Sequence, residues 1–172
     1  MAKVLHKLSS KLNFPPSTIL KTAINYWPPL LGAGVRVVKL SKDFRYAKIA
    51  MPLRWYNRNY VGTHFGGSLY SMTDPWFMLQ LLNVLGKDYI VWDKGANIDY
   101  KSPGKGCVTA EFVLKDDLIQ SLRELNPEEK RVFDLPVEVK DKGGNVVAEV
   151  TKKLYVKRKA QQQQQPMPRS KL

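Results

Sequence analysis

The segment Gly62-Thr63-His64-Phe65-Gly66-Gly67-Ser68-Leu69-Tyr70-Ser71-Met72-Thr73-Asp74-Pro75 joins two glycines to the start of a long apolar run. From Gly66-Gly67 onward, Leu69, Met72, Trp76, Leu79, Leu82 and Leu85 recur every three or four residues. That is the period of a helix, and Gly86 is a natural stop for it. The run is apolar on most faces, so it belongs inside a domain. Upstream, Trp55–Phe65 has no clear period and reads as a loop.

Strands flank the helix on both sides. Val35, Val37 and Leu40, with Arg36 and Lys39 between them, predict one strand. Tyr46–Leu53 predicts another, with Asp43-Phe44-Arg45 as the turn. After the helix come four strand-like runs: Tyr89–Ser102, Gly106–Lys115, Arg131–Asp141 and Val146–Lys157. Lys142-Gly143-Gly144-Asn145 is a hairpin signal between the last two. Asp117–Leu125 reads as a short helix ended by Asn126-Pro127. One apolar helix with six strands wants a curved antiparallel sheet wrapped around it, an α+β domain. The sheet edges and helix ends need cover, which argues for a homodimer or a dimer of dimers.

The remaining segments read as an arm and a tail. Val4, Leu5, Leu8 and Leu12 have helical spacing, and Pro15-Pro16 stops that helix. Ser17 is a candidate N-cap for a second helix to about Tyr26, which Pro28-Pro29 ends. This basic arm is expected to pack on the domain rather than lie on a membrane. Gln161–Gln165 and the prolines after it have nothing to bury and are expected to be disordered. The expected division is a helical arm over 1–31, a domain over 32–158 and a basic, Gln-rich tail over 159–172.

Composition narrows the class. The chain has 172 residues, 44% of them hydrophobic and 25% charged, which is ordinary globular usage. No apolar run approaches the ~20 residues of a bilayer span, and the N-terminus lacks a secretory signal, so the cytoplasm is the default expectation. One cysteine, Cys107, excludes an internal disulfide framework, and two histidines without an acidic cluster argue against a metal site. The net charge is +13. Residues 1–42 carry 7 Lys/Arg and no acid, as do residues 152–172, whereas the stretch between holds 14 Lys/Arg and 15 Asp/Glu. Basicity placed at the ends argues against a nucleic-acid binder, and leaves a membrane contact open but not favoured.

The chemistry concentrates at the glycine pair. The first amides of a helix are unpaired, and with the helix dipole they form an electropositive spot able to hold an oxyanion. Gly66 and Gly67 are the candidates, although a tight helix–sheet contact also demands small residues. Asp74 follows seven residues after Gly67. It is a carboxylate in an apolar stretch, so it must be paired, protonated or facing a cavity. Such a group can serve as general base on water or as nucleophile. Asp74-Pro75 is equally an N-cap and first-turn proline. His64 can orient a carbonyl or sit as a loop histidine against Phe65. No Gly-x-Ser-x-Gly, phosphate-loop or dinucleotide motif occurs, and no cofactor is implied.

Gly62-Thr63-His64-Phe65-Gly66-Gly67 followed by Asp74 resembles the helix start of hotdog-fold acyl-CoA thioesterases of the phenylacetate-pathway type. Asn97-Ile98-Asp99-Tyr100-Lys101-Ser102-Pro103-Gly104 resembles the strand that follows. Thr73-Asp74-Pro75, Tyr89-Ile90-Val91-Trp92-Asp93-Lys94 and Leu154-Tyr155-Val156 are closer still to an uncharacterised domain-of-unknown-function branch of that superfamily. The resemblance implies a hotdog fold and an acyl-CoA or acyl-carrier thioester hydrolase, with a non-catalytic acyl-binding or lipid-binding module as the alternative. It implies Asp74 as the catalytic acid and Gly66 as the oxyanion donor, with Asn57 near the thioester. Asp93 falls where the partner subunit supplies a hydroxyl residue in some relatives. A carboxylate there would stand near Asp74, with Lys94 or Arg58 to compensate. Where those enzymes have histidine just before the glycines, this chain has Phe65, with His64 one residue earlier. Gly67 and Phe65 are expected to touch substrate. Met72, Trp76, Phe77 and Met78 are candidates for an acyl pocket, and Lys101 and Lys105 for CoA phosphates.

Overall fold

The computed structural model describes residues 7–11 and 13–160. Its elements are α1 (Pro16–Asn25), α2 (Pro28–Ala33), β1 (Arg36–Leu40), β2 (Tyr46–Pro52), α3 (Gly66–Thr73), α4 (Trp76–Leu85), β3 (Tyr89–Tyr100), β4 (Cys107–Val113), α5 (Asp116–Arg123), β5 (Lys130–Lys140) and β6 (Val146–Arg158). The six strands form one antiparallel sheet in the order β1-β2-β4-β5-β6-β3. This is the expected α+β architecture, a curved sheet around a central helix.

Alternation decides which face of each strand is inside. In β2, Ala47, Ile49 and Met51 point inward and stand opposite Phe112, Ala110 and Val108 of β4. The pairing sets small against large, so the layer fills without voids. Phe77 of α4 meets Phe112 edge-on, with ring centroids 5.1 Å apart.

The central helix runs as two segments. Pro75 has no N–H to give to Ser71, so the backbone ladder breaks there. Asp74 N–H takes the Ser71 carbonyl at 3.3 Å, and Leu79 N–H bonds Pro75 O at 2.9 Å to start α4. The Met72 carbonyl accepts the Trp76 indole N–H at 2.5 Å. A side chain therefore satisfies a carbonyl that the break had freed.

At the N-terminal side, α1 packs on β1 through buried Leu20 and Ile24. Ser17 is not the N-cap: Pro15 holds that position, and Ser17 is buried inside the first turn of α1. Pro28-Pro29, expected only to end a helix, opens a further one, α2, because proline suits the first helical positions. The charge partition also changes meaning. The basic C-terminal stretch is in part β6, a strand inside the sheet, so basicity is not confined to appendages. Val4, Leu5, Leu12 and the tail after Ala160 lie outside the described residues. No helix among the described residues is long and apolar enough to cross a membrane.

Candidate active site

The loop before α3 is held from three directions. Phe65 N–H bonds Asn57 O at 2.9 Å, and His64 N–H bonds Gly104 O at 3.0 Å. Asn59 Nδ2 donates to Thr63 Oγ1 at 2.9 Å across the turn. The chain therefore enters α3 along a fixed line. Ser68 and Leu69 N–H both turn back to Phe65 O, whereas the N–H groups of Gly66 and Gly67 bond nothing among the described residues. They are free donors at a helix start. A Cβ on Gly66 would stand 2.8 Å from the Tyr100 hydroxyl, so only glycine leaves that space open. A cleft of about 410 Å³ lies in front, lined by Asn59, His64, Gly66, Leu69, Tyr100 and Gly104 among others.

The second centre is the break in the helix. Asp74 does not cap α4; Pro75 holds the cap position and no side chain caps it. The Asp74 side chain is 52% exposed, and its Oδ1 accepts a hydrogen bond from Lys152 Nζ at 2.8 Å. Lys152 is only 2% exposed. It lies on the inward phase of β6, in line with Ala148, Val150, Leu154 and Val156. A buried ammonium is tolerated only when paired. Asp93 Oδ1 lies 3.3 Å from the same Nζ, at ion-pair distance but without hydrogen-bond geometry. Burial pushes the Asp93 carboxyl up; the Asp74 charge adds to this, while Lys152 opposes it.

The expected site residues thus separate into groups. Gly66, His64 and Lys101 line the cleft. Gly67 and Phe65 are not in its lining; the exposed Phe65 ring covers the space a Cβ on Gly67 would occupy. Asp74 and Asp93 come together one helix segment away, within this chain, on the Nζ of one lysine. The cation between them is Lys152 and not Lys94 or Arg58. Lys94 is the exposed residue left out of the ladder at a bulge in β3, and Arg58 is exposed. Asn57 is 1% exposed, and its amide is engaged within the loop by Arg54 N–H, Ala33 O and Pro52 O. His64 is buried as well, with Nε2 3.0 Å from Gly106 O. A carbonyl only accepts, so Nε2 carries the proton and Nδ1 is left buried without a partner. Burial lowers the His64 pKa, and the Gly106 bond opposes this. Lys101 is paired to Glu149 at 3.0 Å, and Lys105 is exposed. Met72, Trp76 and Phe77 are closed into the core rather than lining a pocket.

Lys152 is the residue that sequence reasoning missed. The signal was available: Val150, Leu154 and Val156 mark the inward phase of β6, and Lys152 falls on it. A lysine on the buried phase of a strand demands a carboxylate.

The sheet, the interrupted helix and the glycine pair at its start define a hotdog-fold protein. Within that class the chain belongs to a family described as a domain of unknown function, DUF4442, whose model matches residues 17–156. A protein of unknown function from Pseudomonas aeruginosa, described as a probable thioesterase, superposes with a TM-score of 0.71 at 23% identity, covering 83% of this chain and 95% of that one. A thioesterase from Haemophilus influenzae gives 0.60 at 14% identity, over 80% and 87%. The E. coli PaaI protein of the phenylacetic acid degradation operon gives 0.55 at 16%, over 80% and 88%. These likenesses establish the fold. No curated protein matches the chain.

Proposed function

We propose that the protein hydrolyses acyl thioesters, carried on coenzyme A or an acyl carrier, at two equivalent sites of a homodimer. The observation that carries this reading is the state of Asp74: a half-exposed carboxylate, free of any capping duty and aimed by a buried lysine. The solved proteins of similar fold that bear thioesterase names support it as context.

The site is read as shared by two protomers. Gly66 and Asp74 are eight residues apart on nearly continuous helix, or ~12 Å at 1.5 Å per residue. A thioester carbonyl held at the amides is far from Asp74 of the same chain, which favours a base, reached through one water, from a second protomer. The Gly66 and Gly67 amides of one protomer are therefore paired with Asp74 of the other. The amides hold the carbonyl oxygen as it becomes an oxyanion. Asp74 takes a proton from water as the water oxygen bonds the carbonyl carbon. The C–S bond then breaks, and Asp74 returns the proton to the leaving sulfur. The cleft beside Gly66 receives the thioester, and Lys101 in its lining, released from Glu149, and the exposed Lys105 two residues past Pro103 offer charge to the carrier's phosphates.

Thiol release from a panel of acyl-CoAs, by wild type and by Asp74→Asn, tests the reading. The expected result is a loss of kcat of about 10² to 10⁴, the usual contribution of a positioned acid–base group. Unchanged turnover removes Asp74 from the mechanism. Saturable acyl-CoA binding without turnover at any chain length supports the acyl-binding alternative. Sedimentation at micromolar concentration is expected to give a dimer.

A further inference from the structure

We propose that Lys152 is the positioning residue of the site, and that its hydrogen bond passes from Asp74 to Asp93 when Asp74 takes up a proton. This rests on the reading of Asp74 as the base and adds residues to it.

One ammonium faces two carboxylates at unequal range. Asp74 Oδ1 is hydrogen-bonded at 2.8 Å, while Asp93 Oδ1 waits at 3.3 Å, buried and with no hydrogen bond of its own. Three elements hold the arrangement. Asp74 comes from the helix break, Lys152 from the inward phase of β6, and Asp93 from β3, where Asp93 stands opposite Leu154. Once Asp74 is neutral, Lys152 would be a buried charge without a counter-ion, which is costly. Asp93 removes that cost with a small rotation of the lysine. No proton moves between the three groups and no charge has to reach solvent. Only the lysine's hydrogen bond changes partner.

The geometry also explains why the second carboxyl turns a buried oxygen to the lysine. An exposed acid would be hydrated already and would gain little from the lysine. Asp93 is raised by burial first, with the Asp74 charge adding and Lys152 opposing. Lys152 and Asp74 are the charged groups that face it; α4, packed against β3, carries no charged side chain. Below its own titration Asp93 is neutral and no longer supplies a counter-ion for the lysine, so the relay stops on the acid side.

Kinetics and an activity-free titration test this together. Lys152→Met is expected to lower kcat about a hundredfold with KM within twofold, the cost of a misplaced catalytic group. Lys152→Arg, which keeps the charge, is expected to recover part of that loss. Asp93→Asn is expected to lower kcat about tenfold and to move the acid limb of the kcat profile to lower pH. Separately, carboxyl-carbon NMR follows Asp93 in three proteins. Its midpoint falls in Asp74→Asn, which removes a repelling charge, and rises in Lys152→Met, which removes an attracting one. If Lys152→Met keeps kcat and the acid limb, or if neither midpoint moves, the proposal is overturned. If both midpoints move but wild type releases thiol from no acyl thioester, the charge network stands, and it is the hydrolase reading, with the catalytic role built on it, that falls.

Discussion

The sheet ends in two edges that are finished differently. At β1 the chain covers its own edge. Asn25 of α1 accepts from Val37 N–H at 2.7 Å and donates to Val37 O at 3.4 Å, and Lys21 Nζ reaches Val38 O at 2.7 Å. At β3, twelve residues long, the backbone hydrogen bonds of the described residues run to β6 on one side, apart from the turn bond of Tyr89 N–H to Gly86 O. Trp92 and Tyr100 stand exposed along it. An open, aromatic edge invites another strand unless something covers it. Asp93 lies on this second edge, and Tyr100 closes over Gly66 from its end. On the proposed reading, the closed edge serves stability and the open one lies beside the chemistry, where a second protomer would complete the site.

Substitutions on the two sides should therefore move different observables. The largest effect is expected from Leu20→Ala under the β1 edge. Urea unfolding should show a loss of about 2–5 kcal/mol, as for other large-to-small core changes, with kcat per folded molecule unchanged. A matching loss of kcat would show that the closed edge also serves the site. Next comes Gly66→Ala beside the open edge. The new methyl meets the Tyr100 hydroxyl and the substrate carbonyl, so kcat/KM should fall about tenfold or more while the urea midpoint stays in place. Tyr100→Ala in the same chain should recover part of the loss if the clash is the cause. Asn25→Ala is smaller again: about 1 kcal/mol, for the hydrogen bonds to Val37, with no kinetic consequence.

The sequence carried the edges unequally. The strands, the central helix and the hairpin at Gly143-Gly144 were legible because each depends on local period and turn chemistry. Asp141, which gathers Gly143 and Asn145 N–H at 2.8 and 2.9 Å, is such a local device. Gly66 and Asp74 stood out as candidates because glycine at a helix start and an acid in an apolar run are both costly without purpose; their assigned roles came from the family resemblance. Lys152 was hidden by its neighbours: Lys153 and Lys157 made it look like one more charge of a basic end, although its phase on β6 set it apart. Asn57 was obscured in the opposite sense. The resemblance put it near the thioester, while its structural duty, an amide tying Arg54, Pro52 and Ala33 together, left no mark in the sequence. Pairing between segments far apart in the chain decides both cases, and no local window contains it.

The smallest effect concerns pH and separates the two sides by sign. His64 joins the loop before α3 to the strand entering β4, and its buried imidazole titrates below the ordinary histidine value. The unfolded chain then binds the extra proton first, so stability is full above about pH 6.5 and falls as pH drops from there toward the lowered value. Asp93 has the opposite slope. Its folded carboxyl holds a proton longer than the unfolded one, so its contribution is favourable in acid and is lost as pH rises through the raised value. Urea midpoints at pH 7.5 and 5.5 should therefore fall on acidification in wild type and flatten in His64→Gln. Asp93→Asn should leave the His64 slope intact and remove only the opposing one at lower pH. If His64→Gln keeps the wild-type slope, the acid sensitivity belongs elsewhere, and the loop at the glycine pair is no longer its source.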